Sequence, residues 1–217
     1  IENEYYSAIR PKRTTHTGEK PLHALQCRGV EYVEVRCLDL DPFSGVGMDA
    51  EQIDFLDLFL LDCLLDDSTF IDDEECDCLD NAFQDVVRSG RSEELKLPCG
   101  GADGGGGEQA RSVGLRHLDR MERLASLLPG AQAYQRALAT QRARLTGEQP
   151  LPSDRLMAEM SESGESLVQW GMGQARKQQE ALRQQGLPPE RQQAMEDEAR
   201  ESLAEQKRLE ANETESF

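Results

Sequence analysis

The pattern of apolar and polar positions divides the chain into an extended first part and a helical remainder. Residues 1–10 and 30–40 are rich in β-branched and aromatic side chains and alternate in polarity, which predicts two strands. A basic loop, residues 10–29, is predicted between them.

The second strand has two different faces. With a period of two, Tyr32, Glu34 and Arg36 share one face, whereas Val33 and Val35 share the other. An apolar back and a charged front predict a sheet that packs on a core and leaves its front open to a site.

From Asp49 onward the apolar spacing becomes helical. Asp49 is a predicted N-cap with Gln52 three residues later. The predicted buried stripe of this helix contains Ile53, Leu56, Phe59, Leu60, Cys63 and Leu64.

The rest of the chain is predicted to be mainly helical. An acidic tract, a short helix and a glycine-rich loop are expected at residues 66–80, 81–90 and 100–107. Longer helices are predicted at 109–128, 131–146, 153–183 and 188–211. The expected fold class is α+β, with strands and a basic loop in residues 1–48 and a helical buttressing region in residues 49–217.

Charge is distributed very unevenly. The formal net charge of the 217 residues is −18, of which residues 49–108 carry −15, while residues 1–48 carry −1 and residues 109–217 carry −2. This balance argues against a general nucleic-acid binder, because such affinity depends on neutralising phosphates. The most apolar stretch, residues 53–65, contains three aspartates, so no membrane span is predicted.

The six cysteines favour free thiols in a cytoplasmic protein over a disulfide framework. Cys37 and Cys63 lie inside apolar strand and helix patterns, where cysteine usually acts as a small hydrophobe. The chain begins directly in a predicted strand, at Ile1, without an initiator methionine or a signal sequence. We therefore expect it to be a fragment of a longer protein.

Three motifs point to metals or catalysis only superficially. His16 to Pro21 spells HTGEKP, the linker between zinc fingers, but no correctly spaced Cys and His pairs flank it. The acidic residues 72–77 lack the alternation and central glycine of a calcium loop, which favours a solvated surface. His117 has no second His or Cys nearby and is expected to have a surface or packing role.

The front of the second strand is the candidate site. Glu34 offers a hard oxygen ligand for magnesium, and Arg36 offers a guanidinium for phosphate or carboxylate oxygens. Arg10, Lys12 and Arg13 add three cations within four residues. This set suits phosphoryl transfer, although a cross-strand salt bridge on a solvated face is a common alternative.

At these residues the chain resembles the proteobacterial type of glutamate–cysteine ligase. The matching stretches are IENEYYSAIRPKR (1–13), RGVEYVEVRCLDLDPFS (28–44) and AEQIDFLDLFLLDCLL (50–65). The resemblance covers the later, carboxy-terminal portion of that family's chain.

The resemblance implies a glutamine-synthetase-like fold whose antiparallel sheet holds ATP, Mg²⁺ or Mn²⁺, glutamate and cysteine. Glu34 is similar to a metal-ligand position, Arg36 to a residue that grips the phosphoryl group or substrate, and Tyr6 to a wall of the cysteine pocket. Arg10 and Lys12 lie where the family brings cations to the nucleotide and the transferred phosphate. The implied activity is that of an ATP-dependent acid–amino-acid ligase that forms γ-glutamylcysteine through γ-glutamyl phosphate.

The family's other metal ligands precede residue 1, so the fragment alone is expected to be inactive. The full-length protein is expected to be a monomer that binds small molecules, with no nucleic-acid or membrane partner. The alternative is an acidic helical interaction module without catalytic activity, in which the strand pair is only structural.

Overall fold

The computed structural model describes the chain in four stretches, residues 8–36, 38–67, 70–98 and 107–212. It divides into two compact units, the strand unit (residues 1–41) and the helical unit (residues 42–217). None of the helices in these four stretches is long and apolar enough to cross a membrane.

The strand unit contains strand β1 (Ile9–Lys12), helix α1 (Pro21–Arg28) and strand β2 (Tyr32–Val35). The two strands are antiparallel, with Ile9 opposite Val35 and Lys12 opposite Tyr32. Strand β2 is shorter than predicted, whereas β1 runs past its predicted end at residue 10 to Lys12. The predicted basic loop is therefore wrong in part, because it contains the end of β1 and all of α1.

Helix α1 has clear start and stop residues. Pro21 occupies the first helical position, where its missing N–H costs no hydrogen bond. Gly29 follows the last residue with a φ of 73°, a conformation that favours glycine, and its N–H donates to the Leu25 carbonyl.

The HTGEKP segment forms the entry to α1. The two oxygens of Glu19 accept from Nη1 and Nη2 of Arg28, at 2.8 Å each, and one oxygen also accepts from the His16 N–H at 3.0 Å. These contacts lower the pKa of Glu19 to about 2, with the Arg28 hydrogen bonds as the largest cause. The segment is therefore a structural turn in this protein.

The helical unit begins with α2 (Ala50–Leu65) and α3 (Asp73–Ser89). Two short strands, β3 (Lys96–Leu97) and β4 (Glu108–Gln109), pair antiparallel. Five helices follow: α4 (Ala110–Ala125), α5 (Ala131–Thr146), α6 (Pro152–Ser163), α7 (Leu167–Gln185) and α8 (Pro189–Asn212).

The helix predictions hold with two corrections. The predicted N-cap is confirmed, because the Asp49 side chain accepts from the Gln52 N–H and the Gln52 side chain accepts from the Asp49 N–H. Helix α3 extends further towards the N-terminus than predicted, since Asp72 caps it and accepts from the Glu75 N–H. The single helix predicted at 153–183 is wrong, because Gly164, with a φ of 69°, ends α6. Of the predicted glycine-rich loop, only Gly107 is within the described residues.

Helices α2, α4 and α5 pack on one another to form the core of the helical unit. Its buried side chains are Leu58, Leu118, Met121, Ala125 and Leu138.

The predicted buried stripe of α2 is wrong in phase. Leu58 is buried, whereas Ile53, Cys63 and Leu64 are exposed. The helix has large apolar side chains on nearly all sides, so apolar spacing alone does not select the face that packs.

Polar contacts mark the face of α2 that packs. Asp62, only 4% exposed, accepts from Nε and Nη2 of Arg120 at 2.6 and 2.7 Å. Nearer the start of α2, Asp57 accepts from the Tyr134 hydroxyl and Glu51 accepts from the Thr140 hydroxyl. These contacts join α2 to both α4 and α5.

The prediction of free thiols is confirmed for the four cysteines within the described stretches, Cys27, Cys63, Cys76 and Cys78. Partial removal of the Cys63 thiol from water raises its pKa, and the negative charge of the neighbouring Asp62 adds to this effect. Cys37 and Cys99 lie outside the described residues.

The Asp62–Arg120 pair predicts a specific loss of stability. Replacing Arg120 with methionine leaves the Asp62 carboxylate buried without its main partner, so we expect the free energy of unfolding to fall by about 2–3 kcal/mol. Chemical denaturation measures this change. Arg123→Met, on the same helix at an exposed position, is the matched control and should change the value by less than about 0.5 kcal/mol.

The double variant Asp62→Leu with Arg120→Met should recover much of the loss, since it removes the buried charge together with its partner. Equal stability of Arg120→Met and Arg123→Met would contradict the structural role of the pair.

The low pKa of Glu19 predicts a pH-dependent contribution. A carboxyl group whose pKa is lowered by folding stabilises the protein above its ordinary pKa, and this contribution disappears as pH falls through the folded-state value. The wild type should therefore be more stable than Glu19→Gln at pH 7, and the difference should vanish between pH 4.5 and about 2. Hydrogen exchange of α1 amides across this range measures it, and a pH-independent difference would refute it.

Candidate functional site

The strand pair brings the predicted charged residues onto one face. Arg10 lies directly opposite Glu34 in the antiparallel register, and directly opposed residues project to the same side. Lys12 lies two residues after Arg10, and Arg36 lies two residues after Glu34, so both side chains share the same face as this pair. We call these four residues the strand-face cluster.

Glu34 is held between two cations. One carboxylate oxygen accepts from Nε of Arg36 at 2.7 Å, and the other lies 3.1 Å from Nζ of Lys12. The hydrogen bond from Arg36 is the main reason that the pKa of Glu34 is below its ordinary value, and Lys12 is the second. Glu34 is therefore an anion at neutral pH, at a half-buried position.

Arg10 is the most enclosed member of the cluster, with only 9% of its surface exposed. Such a buried guanidinium is fixed in place, since a charge at low exposure needs polar contacts. The cluster has three cations and one carboxylate, so it retains net positive charge on one face of a two-stranded sheet. A site of this kind attracts anionic ligands.

Arg13, the third cation noted in the basic segment, does not join the cluster. Its Nη1 donates to the Arg28 carbonyl at 2.9 Å, and its Nε lies 3.6 Å from Glu31. The period of two along β1 was a signal for this separation, because Arg13 differs by an odd number of residues from both Arg10 and Lys12.

Glu34 alone does not make a metal site. Across the described stretches no group of three or more His, Cys, Asp or Glu side chains is placed to hold a metal ion. Both carboxylate oxygens of Glu34 already contact cations, so these residues offer at most one ligand group and need others from elsewhere.

Two other predicted positions have different outcomes. Tyr6 lies outside the described residues. His117 is partly buried on α4, and its Nδ1 lies 3.7 Å from an Asp62 oxygen, which places it among packing residues of the helical unit.

The apolar back of the sheet is incompletely covered by the residues described. Ile9 and Val33, on the face opposite to the cluster, are 44% and 42% exposed. Helix α1, which sequence analysis missed, packs next to β1 and buries Ala24. The signals for α1 were Pro21 at its start and Gly29 at its end.

The chain is similar to proteins of one family. Residues 1–86 match the family model described as glutamate-cysteine ligase. A glutamate–cysteine ligase of Pseudomonas entomophila is 48% identical over all of this chain, and one of Azotobacter vinelandii is 44% identical over the same extent.

A solved structure agrees with these matches. The crystal structure of glutamate–cysteine ligase from Francisella tularensis, in complex with AMP, is similar with a TM-score of 0.84 and 31% sequence identity, covering 100% of this chain. This chain spans 41% of the Pseudomonas entomophila protein and 42% of the Francisella chain.

The chain is thus similar over its whole length to glutamate–cysteine ligases. The resemblance to the glutamate–cysteine ligase family is confirmed, over a portion of that family's length. The mainly helical architecture with small antiparallel sheets agrees with the expected α+β class, and the matches do not favour the interaction-module alternative.

The geometry of the cluster predicts how Glu34 titrates. Replacing Arg36 with glutamine removes the largest cause of the lowered pKa, so the pKa of Glu34 should rise towards its ordinary value of 4.5. Carboxyl ¹³C NMR titration measures this. Arg13→Gln is the control, because Arg13 contacts Glu31 rather than Glu34, and it should leave the Glu34 titration in place. An unchanged Glu34 pKa in Arg36→Gln would mean that the ion pair does not form.

Proposed function

We propose that this chain is the carboxy-terminal portion of a glutamate–cysteine ligase and supplies part of its active site. The reaction is the ATP-dependent joining of the glutamate γ-carboxylate to the cysteine amine. The observation that carries the proposal is the strand-face cluster, in which Arg10, Lys12 and Arg36 surround a single ionised carboxylate on one face.

The three cations suit a reaction that transfers a negatively charged phosphoryl group. ATP and an acyl phosphate are polyanions, and fixed cations stabilise the negative charge that develops on the transferring phosphoryl oxygens. Arg36 presents a planar guanidinium for two oxygens, Lys12 acts as a point charge, and Arg10 is held rigidly by burial. We assign the phosphoryl contacts to these residues.

The reaction proceeds in two steps. A γ-carboxylate oxygen of glutamate attacks the terminal phosphorus of ATP, the bond to the β-phosphate oxygen breaks, and ADP leaves. The cysteine amine then attacks the carbonyl carbon of γ-glutamyl phosphate, loses a proton and expels phosphate, which gives γ-glutamylcysteine. The cluster's part is to hold and neutralise the phosphoryl oxygens in both steps.

Glu34 is proposed as one ligand of a bound Mg²⁺ or Mn²⁺. When bound, such a cation shields the charge between ATP and the attacking carboxylate. Glu34 is suited to this because it is ionised and partly accessible, and the metal ion would share its two oxygens with Lys12 and Arg36. The remaining ligands must come from outside the described residues, so we expect the 217-residue chain alone to be inactive.

Nucleotide use is supported by the Francisella ligase, whose structure contains AMP. By the same likeness we propose that β1 and β2 belong to a larger, glutamine-synthetase-like antiparallel sheet. The exposure of Ile9 and Val33 supports this, since isolated two-stranded sheets are marginal in water. Tyr6 is proposed as a wall of the cysteine pocket, and the full-length enzyme as a cytoplasmic monomer.

The proposal predicts the substrate requirements of ADP release. With the full natural chain, release should require glutamate, cysteine and Mg²⁺ together, and omission of any one should abolish most of it. Arg36→Ala and Glu34→Gln should each lower turnover about 100-fold, because each removes charge stabilisation from the transition state. Arg123→Ala, in an exposed position on α4, is the matched control and should retain full turnover.

A coupled assay for ADP measures turnover, and circular dichroism of each variant checks that it is folded. Full turnover in folded Arg36→Ala and Glu34→Gln would remove the assigned site. No release from folded wild-type protein with all three components would remove the proposed function.

A further inference from the structure

A cavity of about 610 Å³ lies within the helical unit, and all of its lining residues belong to that unit. It opens between α4 and α5, and the residues after α3 and at the start of α6 complete its wall. Its apolar lining comes from Phe55, Phe59, Leu118, Met121 and Leu145. This size and lining are in the range of small-molecule sites.

Most charges in the cavity wall are already compensated. Arg91 forms an ion pair with Asp154. Arg111 donates from Nε to the Leu145 carbonyl at 2.9 Å, and its Nη1 lies 3.4 Å from Glu93. Two cations and two carboxylates in this wall therefore balance one another.

Arg144 is different. Its Nε is buried without a hydrogen-bond partner, and among the residues described its side chain has no ion pair. The second orphan in the wall is His117, whose buried Nδ1 has no hydrogen bond and lies 3.7 Å from Asp62, beyond hydrogen-bonding distance. Buried polar atoms nearly always have partners, so the unpartnered Nε of Arg144 in a cavity wall calls for an explanation.

We propose that this cavity binds a small organic carboxylate with an apolar body, and that Arg144 holds the carboxylate. A guanidinium pairs with a carboxylate in a planar, two-bonded geometry, and one uncompensated cation matches one negative charge. The apolar walls match a hydrocarbon or aromatic body. Inorganic phosphate fits less well, because it carries more charge and has no apolar part to bury.

The test uses phenylacetate as the probe, with the full natural chain. Isothermal titration calorimetry should show saturable binding of phenylacetate, at least tenfold weaker binding of neutral phenylacetamide, and no saturable binding of inorganic phosphate. The amide has the same shape, so this comparison isolates the charge.

The variants separate the site from general charge effects. Arg144→Gln should weaken phenylacetate binding at least tenfold, and Arg144→Lys should retain part of the affinity. Arg136→Gln, at an exposed position of the same helix and outside the cavity wall, is the matched control and should bind like the wild type. Thermal unfolding should be nearly equal in Arg144→Gln and wild type, since the Arg144 side chain has no protein partner to lose.

Two results would overturn the proposal. One is the absence of saturable phenylacetate binding by folded protein, as expected if a segment of a longer chain fills the cavity. The other is a failure of either comparison to show a difference in affinity, between wild type and Arg144→Gln or between the acid and the amide. Neither result depends on whether the protein has ligase activity.

Discussion

The antiparallel register of β1 and β2 is the constraint on which the candidate site depends. It places Arg10 directly opposite Glu34, and the period of two then brings Lys12 and Arg36 to the same face. A shift of one residue would move one strand's charged side chains to the opposite face and dissolve the cluster. The turn around Glu19 and Arg28 limits such a shift, because it fixes the segment that joins β1 to α1.

In the helical unit, polar contacts determine which face of α2 packs against its neighbours. Helix α2 is apolar on nearly all sides, yet one face packs against α4 and α5. The partners of Asp62, Asp57 and Glu51 mark that face, and the buried carboxylate of Asp62 is held there by two donors of Arg120. The polar contacts of these three acidic residues thus orient α2.

Features set by neighbouring residues could be predicted from the sequence, whereas features set by distant partners could not. Local signals sufficed for the Asp49 capping box, for most helix existence, and for the shared face of Glu34 and Arg36. The phase of α2 was not predictable, since it depends on Arg120, more than fifty residues away. Helix α1 was missed because it is short, with 8 residues, and lies inside a segment whose flanking residues are basic and turn-forming. Arg144 in the cavity wall had no sequence signal, since its significance lies in the absence of a partner.

The central claim is that the strand-face cluster takes part in binding ATP together with a divalent metal ion. The direct measurement is the affinity of the full natural chain for a non-hydrolysable ATP analogue, with Mg²⁺ and with EDTA, in wild type and Glu34→Gln. We expect Mg²⁺ to strengthen binding markedly in wild type, and Glu34→Gln to lose most of this gain while remaining folded. Equal strengthening by Mg²⁺ in both proteins would contradict it.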